Sequence, residues 1–406
     1  MEEFDKGWKP LLAATIGTMC GIFTLTNYSQ GFFVGPVTAE FGWSPPQFFL
    51  SYTVMMCLGL LTGPIVGSMA ERVGLRTIGV LGLIGHSAGY VLLSFNTGSL
   101  ALWYASWALL AMLGAGSLPI VWTSVLNGWF RKHRGKAIGI TMAGTGLGAF
   151  FLPPIVEFLI SNYGWRNAYR GVGLGALIIS LPVVFGMFRE NIADVGSHKE
   201  GSPHSSLGWG MTRPEAMKTA RFWILGAVLF LTVIVLAGFL SNFERLMTEK
   251  GFERSDIAKI AAIIGLTVII GRLLVGALVD KFWAPGVAAV FFILPTLGLF
   301  LLLSDNVSFN VALMVAILIG LAAGAELDLL AYLTSKFFGP AHYAAIFGAV
   351  IAFFTVGAGI APPFFGAIAQ ATGGYSAVIM LAIGMLVVSI GLFLLLGRYP
   401  DEETTA

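Results

Sequence analysis

Long apolar runs recur along the whole chain, and short breaks rich in glycine, proline or polar residues separate them. A helix needs about 20 apolar residues to cross a bilayer, and most runs have about that length. Breaks with turn residues lie at 42–46, 96–98 and 372–374. The pattern predicts twelve membrane helices, at residues 10–34, 47–68, 77–95, 99–127, 137–160, 168–188, 221–243, 257–279, 285–304, 308–333, 346–370 and 375–397.

One polar segment divides these helices into six and six. Residues 189–220 are rich in glycine, serine and histidine. We therefore predict a first six-helix bundle at 1–188, a linker at 189–220 and a second bundle at 221–406.

The two halves also match each other at a fixed offset of 209 residues, which predicts two parallel six-helix repeats, as in transporters that rock one half against the other. Two double prolines and two acidic residues in one register are the most specific matches. The pairs are Gly67 with Gly276, Glu71 with Asp280, His133 with His342, Gly139 with Gly348, Gly148 with Gly357, Pro153-Pro154 with Pro362-Pro363, and Gly164 with Gly373.

The composition excludes several other classes of protein. Of the 406 residues, 57% are hydrophobic and 11% are charged, against about 25% charged in soluble domains. The chain has no basic run typical of nucleic-acid binding, and its two cysteines and five histidines suggest neither a disulfide framework nor a metal site. We find no nucleophile–base pairing and no nucleotide-binding loop, so we expect no enzyme and no cofactor. The apolar run from Leu11 is too long for a cleavable signal and is expected to remain as the first helix.

Positive charges predict the orientation of the helices. With the N-terminus in the cytoplasm, 16 of the 23 lysines and arginines fall on the cytoplasmic side, six on the opposite side, and Arg272 within a helix. Because cytoplasmic loops carry the excess of basic residues, we predict a multi-pass inner-membrane protein with both termini in the cytoplasm.

Residues 67–76, Gly-Ser-Met-Ala-Glu-Arg-Val-Gly-Leu-Arg, resemble the loop 2–3 signature of the major facilitator superfamily, and residues 276–281 resemble its weaker second copy. The resemblance implies the major facilitator fold and alternating access. The positive-inside rule alone would explain the basic residues but not the acids and glycines. The resemblance implies that a set of residues forms a conformational charge relay: Gly67, Glu71, Arg72, Gly74, Arg76, Gly276 and Asp280.

A finer resemblance is to the monocarboxylate and oxalate–formate branch. Residues 27–32, 40–44, 129–130 and 134–139 carry it, and Arg272 occupies the position of that branch's helix 8 arginine. The resemblance implies a small organic anion as substrate and a proton as the coupled ion. Helix 11 has no lysine, unlike oxalate-type members, and Val268 replaces the acid that animal-type members carry one turn before the arginine.

Charged residues inside the predicted helices are candidates for function, since each costs at least about 2.5 kcal/mol at mid-bilayer. Arg272 and Asp328 each lie eight residues from a predicted cytoplasmic helix end, so both are about 12 Å deep. We predict that Arg272 binds a carboxylate, Asp328 pairs with it, and Tyr332 lies on the face of Asp328. Glu326 is rotated by about 200° from Asp328. Either acid could carry the proton.

Weaker candidates lie nearer the opposite end of the predicted helices. Asn27, Tyr28 and Asn242 could contact substrate or join helices by hydrogen bonds. Glu157 could lie at a hydrated helix end.

The function these residues favour is secondary active transport of a small organic monocarboxylate with a proton. The alternatives are a uniporter or exchanger of another small organic solute, with Arg272 structural, or a non-transporting receptor on the same scaffold. The 32-residue linker and the nine-residue tail from Arg398 are too short for a signalling domain. We expect a monomer in the lipid bilayer.

Overall fold

The computed structural model describes residues 2–126, 128–130, 133–190, 210–279, 281–304, 306–339 and 343–399, and the regular structure within these ranges is entirely helical. Fourteen α-helices can be assigned in these ranges, with a short 3₁₀ helix at Ala115–Ser117. They are α1 Glu2–Met19, α2 Ile22–Phe41, α3 Pro45–Val73, α4 Leu75–Leu93, α5 Leu100–Gly114, α6 Pro119–Leu126, α7 Arg134–Met187, α8 Arg213–Met217, α9 Ala220–Glu249, α10 Arg254–Val279, α11 Ala284–Leu301, α12 Phe309–Phe338, α13 Tyr343–Thr372 and α14 Ser376–Leu395.

Ten helices of the described ranges are long and apolar enough to cross a membrane. One of them, Lys136–Met187, contains the fifth and sixth predicted helices. The predicted helix at 47–68 lies within α3. Many large apolar side chains are exposed, among them Ile178, Leu273 and Leu395. An exterior of this kind suits contact with lipid, because a soluble protein rarely exposes so much continuous apolar surface.

The segment predicted as the first helix, 10–34, is helical over a longer range in the structure, and the helix is interrupted. α1 ends at Met19 and α2 begins at Ile22, with Gly21 in an extended conformation between them. A Cβ on Gly21 would lie 2.5 Å from the carbonyl oxygen of Ser117, so only glycine permits this contact. The predicted helix at 99–127 is interrupted in a similar way, by the 3₁₀ helix before Pro119.

The fifth and sixth predicted helices are joined by much less chain than expected. Gly164 is the one residue within α7 whose backbone leaves the helical conformation, with φ 77° and ψ 162°. This left-handed φ is readily available to glycine and costly for other residues. A single residue therefore replaces the seven-residue connection that the apolar pattern predicted.

The predicted loop at 67–76 is largely helical. α3 continues to Val73, and the break falls at Gly74, whose φ is 86°. Polar residues can extend a membrane helix beyond the apolar layer, because the helix satisfies its own backbone hydrogen bonds whether it lies in lipid or in water.

The chain divides into two compact units, the first Met1–His198 with Leu240–Leu266, the second Lys199–Phe239 with Thr267–Ala406. In the first unit, the 240–249 end of α9 and the 254–266 part of α10 pack with α2 and α7. Gly31 faces the carbonyl oxygen of Ser241, and Gly265 faces the backbone of Phe150. The second unit holds the rest of α9 and α10 with α11–α14.

Candidate functional site

Two glycines bring α10 and α12 together in the second unit. A Cβ on Gly271 would lie 2.2 Å from the carbonyl oxygen of Leu321, and one on Gly324 would lie 2.1 Å from that of Val268. Helix backbones can approach this closely only where a side chain is absent. The crossing places Arg272, the residue after Gly271, beside the next turn of α12.

Arg272 faces Asp328 at this crossing. Its Nε lies 3.5 Å from Asp328 Oδ2, and its side chain is 11% exposed against 42% for the aspartate. Neither Nε nor Nη1 of Arg272 donates a hydrogen bond to any described residue, although both atoms are buried. The guanidinium is thus neutralised by one carboxylate that faces Nε, while Nη1 is a buried donor with no acceptor among the described residues.

Glu326 lies in a different environment from Asp328, although the two are only two residues apart. It is 5% exposed, and its Oε1 accepts a hydrogen bond from the hydroxyl of Thr232 at 2.7 Å. Thr232 lies in α9, and sequence reasoning missed it. Threonine is common in apolar helices, where its hydroxyl usually bonds to its own backbone, so nothing in the sequence distinguished this one.

Tyr332, one turn after Asp328, packs near the end of α12. The Nζ of Lys336 lies 5.7 Å from the centroid of its ring. This is within the range of a cation–π contact, so Tyr332 has a structural partner in addition to the proposed substrate.

Asn27, Tyr28 and Asn242, the other predicted substrate contacts, belong to the first unit. Asn27 donates to the carbonyl oxygen of Phe23 at 2.7 Å and accepts from the hydroxyl of Tyr52 at 2.7 Å. Asn27 and Tyr28 line a small pocket between α2, α7, α9 and α10. Asn242 is fully buried. The structure therefore brings Arg272, Asp328, Glu326 and Tyr332 into one unit and these three residues into the other.

A second buried charge cluster lies in the first unit, and sequence reasoning missed most of it. Arg254 Nε lies 3.3 Å from Glu157 Oε2 and 3.2 Å from Glu244 Oε1, and its Nη2 donates to the carbonyl oxygen of Phe32 at 2.7 Å. Both carboxylates are buried, so the expectation that Glu157 lies at a hydrated helix end is wrong. The sequence signal was the acidic Glu244 near the end of an apolar run.

The predicted relay residues are described only in part. Gly67, Glu71 and Arg72 lie in α3, but the surroundings of Gly67 and the side chains of the other two fall outside what the structure describes, as does the whole of Asp280. Gly276 lies in α10 and faces open space.

Arg76, also predicted for the relay, packs against the end of α7. Its backbone nitrogen donates to Glu190 Oε1 at 3.2 Å, and its guanidinium donates to the carbonyl oxygen of Phe185. Gly74 has the left-handed backbone noted above. The described contacts of Arg76 therefore tie α4 to the end of α7.

An all-helical chain with an apolar exterior and buried charges is a polytopic membrane protein. It matches the Major Facilitator Superfamily over residues 14–350 and belongs to that superfamily. It is therefore a membrane transporter by family and not an enzyme.

The similar proteins agree with this assignment. The chain is 26% identical to Monocarboxylate transporter 12-B of Danio rerio over 84% of its length and 77% of the relative's. It is 24% identical to an MFS-type transporter of Gibberella moniliformis, with coverage of 92% and 86%. Its fold resembles that of a bacterial homologue of the human lysosomal transporter Spinster in an inward-facing, occupied conformation, with a TM-score of 0.72, 19% identity and 96% of each chain covered.

Proposed function

We propose that the protein is a secondary active transporter that moves a small organic monocarboxylate together with a proton by alternating access. The observation that carries the proposal is Arg272, a largely buried guanidinium with one carboxylate partner at Nε and a buried Nη1 that donates to no described residue. A planar guanidinium binds a carboxylate through two parallel hydrogen bonds, and these are strong where water is excluded.

The ion pair with Asp328 gives the site a means of exchange. Without substrate, Asp328 neutralises Arg272, which keeps the cost of a buried cation low. A substrate carboxylate competes with Asp328 for the same donors. Asp328 or Glu326 takes up the proton, so that anion and proton cross together without net charge.

The names of the relatives support the class of substrate. Several relatives at 24–26% identity are monocarboxylate transporters of vertebrates. Val268, at the position where animal-type members carry an acid, is buried, and its carbonyl oxygen faces Gly324. We therefore propose that the proton-carrying acid of this chain lies on α12 and not one turn before Arg272.

We also propose that the chain consists of two parallel repeats, at 1–188 and 221–406, joined by the linker 189–220. Two pairs of glycines at the offset of 209 residues have left-handed backbones: Gly42 with Gly251, at φ 68° and 88°, and Gly164 with Gly373, both at φ 77°. Because these glycines end equivalent helices, they support a common ancestor of the two halves.

A packing contact supports the same repeat. A Cβ on Gly148 would lie 2.3 Å from Thr24 Cγ2, and one on Gly357 would lie 2.5 Å from Val233 Cγ1. Both members of the first contact map onto the second at the offset of 209 residues. Each contact lies within one compact unit, so the comparison needs no assumption about the arrangement of the units.

We further propose that both termini face the cytoplasm, that the protein resides in a cell inner membrane, and that it acts as a monomer. The excess of basic residues on one side supports the orientation. Accessibility of single cysteines at Asn306 and Thr212 to an impermeant reagent tests it, with reaction expected from outside only at Asn306.

Uptake by proteoliposomes tests the function. A series of short labelled monocarboxylates should enter, while the neutral amides of the same acids should not. An acidic exterior should accelerate uptake, and a protonophore should abolish accumulation. Uptake that responds to neither would favour a uniporter or exchanger, and uptake of the amides at the same rate would make Arg272 structural.

A further inference from the structure

Glu326 is a buried carboxyl group whose charge has no visible compensation. It is 5% exposed in α12, and the only group of the described residues that binds it is the hydroxyl of Thr232. A carboxylate removed from water without a cation is costly, and such a group usually binds a proton and becomes neutral.

The neighbouring helices supply no cation for it. α11 contains no ionisable residue, α13 contains only Tyr343, and α9 has none between Arg221 and Glu244. Beyond its first two turns, α10 contributes only Arg272, whose ion pair is with Asp328. On α12 itself, the nearest charged residue is Asp328, of the same sign as an ionised Glu326.

The two acids of α12 therefore have opposite environments. Asp328 is partly exposed and lies beside a guanidinium, which stabilises its ionised form. Glu326 is enclosed by apolar helices and has a neutral partner. Arg272 faces Asp328 and no other described acid, so Glu326 is the acid whose burial favours the neutral form.

The hydroxyl of Thr232 can serve both forms of Glu326. Its oxygen lies 2.7 Å from Glu326 Oε1 and 3.2 Å from the carbonyl oxygen of Leu229. A hydroxyl has one proton to donate and two lone pairs to accept with. When Glu326 is ionised, Thr232 donates to it. When Glu326 is protonated, its O–H donates to Thr232, which then donates to Leu229.

We propose that Glu326, held by the reversible hydrogen bond with Thr232, is the proton-carrying group of the transport cycle, while the Arg272–Asp328 pair receives the anion. The inference rests on the proposed function. In each cycle the carboxylate of Glu326 takes one proton from water on one side of the membrane and releases it on the other. No covalent bond of the substrate changes.

Infrared spectroscopy tests the protonation without any transport assay. At neutral pH, the purified protein should show the C=O stretch of a neutral carboxylic acid. The band should be absent in Glu326→Gln and present in Asp328→Asn. A band that survives in Glu326→Gln, or one that is lost in Asp328→Asn instead, would overturn the proposal.

Transport tests the coupling. Glu326→Gln should still exchange labelled monocarboxylate for unlabelled at equal pH on both sides, because the anion site is intact. Its accumulation driven by a pH gradient should fall to the level of protein-free liposomes. Wild-type accumulation in this variant would overturn the proposal. If the wild-type protein transports no monocarboxylate, the proposed function fails, and the infrared result still decides whether Glu326 holds the proton.

The role of Thr232 has a test of its own, which also serves if Glu326→Gln does not fold. Thr232→Val should move the midpoint of the pH titration of the infrared band, and Thr232→Ser should leave it in place. Thr296→Val is the matched control, because the one group of the described residues that the hydroxyl of Thr296 binds is the carbonyl oxygen of Phe292 in its own helix. An unchanged midpoint in Thr232→Val would remove Thr232 from the mechanism.

Discussion

α10 carries two arginines that differ in how many partners they have. Arg254, at its first residue, faces two carboxylates and donates to a backbone carbonyl, so three other helices hold it. Arg272, farther along, faces one carboxylate through its Nε, and its buried Nη1 has no acceptor among the described residues. A ligand anion would have to compete with two acids at Arg254 but with only one at Arg272.

The difference separates two uses of the same side chain. An arginine surrounded by acids joins helices, because loss of any one partner leaves a buried charge uncompensated. An arginine with unused donors in a confined space is suited to bind an anion. Burial and charge alone do not distinguish these uses, but the number of acceptors around the guanidinium does.

The largest effect should come from Arg272. Arg272→Ala and Arg272→Lys should both abolish monocarboxylate uptake, since a lysine ammonium is a point charge without the planar pair of donors. Uptake by proteoliposomes is the measurement. Arg221→Lys, which changes a half-buried arginine near the start of α9 in the same unit, should keep uptake. Full activity of Arg272→Ala would remove this residue from substrate binding.

Arg254 should matter most for stability. Arg254→Gln leaves Glu157 and Glu244 buried without their cation and should lower the free energy of unfolding by about 3–5 kcal/mol. Denaturation in mixed micelles measures this. Lys259→Gln, at an exposed pair with Asp256 on the same helix, should cost no more than about 1 kcal/mol. Equal losses in the two variants would mean that the Arg254 cluster does not stabilise the first unit.

The crossing at Gly324 should be sensitive to a single methyl group. Gly324→Ala places a Cβ against the carbonyl oxygen of Val268 and should cost about 1–3 kcal/mol through overpacking. Uptake should fall as well, because the crossing positions Arg272 beside Asp328. Gly384→Ala is the control, since nothing lies within 4 Å of that position. It should be neutral or stabilising by up to about 1 kcal/mol.

The smallest expected effect is the coupling between Arg272 and Asp328. Arg272→Gln with Asp328→Asn should be better folded than either single variant, although inactive, since two amides suit a neutral cavity better than one charge. The coupling energy in a double-mutant cycle should be about 0.5–3 kcal/mol. Strictly additive effects on thermal stability would show that the pair contributes nothing in the resting state.

The apolar pattern predicted well which segments are long apolar helices, and it predicted poorly where each helix breaks. The break at Gly21 and the one-residue connection at Gly164 depend on close backbone contacts and on a left-handed φ. A window of apolar residues contains no information about either. The extension of α3 to Val73 is not visible in the apolar pattern, because polar residues after an apolar run are also typical of a loop.

The candidate site shows a similar division. Equal depth from the helix ends predicted that Arg272 and Asp328 could meet, because a regular helix converts sequence distance into depth. Thr232 and Glu244 were missed because their significance depends on which residue faces them from another helix. Single-sequence reasoning can find a charge in an apolar run, but the partner of that charge is a property of the tertiary structure.

The glycine contacts of the first unit also bear on the populations of conformational states. A Cβ on Gly265 would lie 2.2 Å from the backbone nitrogen of Phe150, so alanine there disfavours every state in which the segment 240–266 packs on α7. If alternating access separates these elements, a cost of about 2 kcal/mol shifts the ratio of the two states by roughly 30-fold. A single Gly265→Ala substitution would then increase the population of the separated state for binding studies, while Arg254 and Arg272 remain unchanged in sequence.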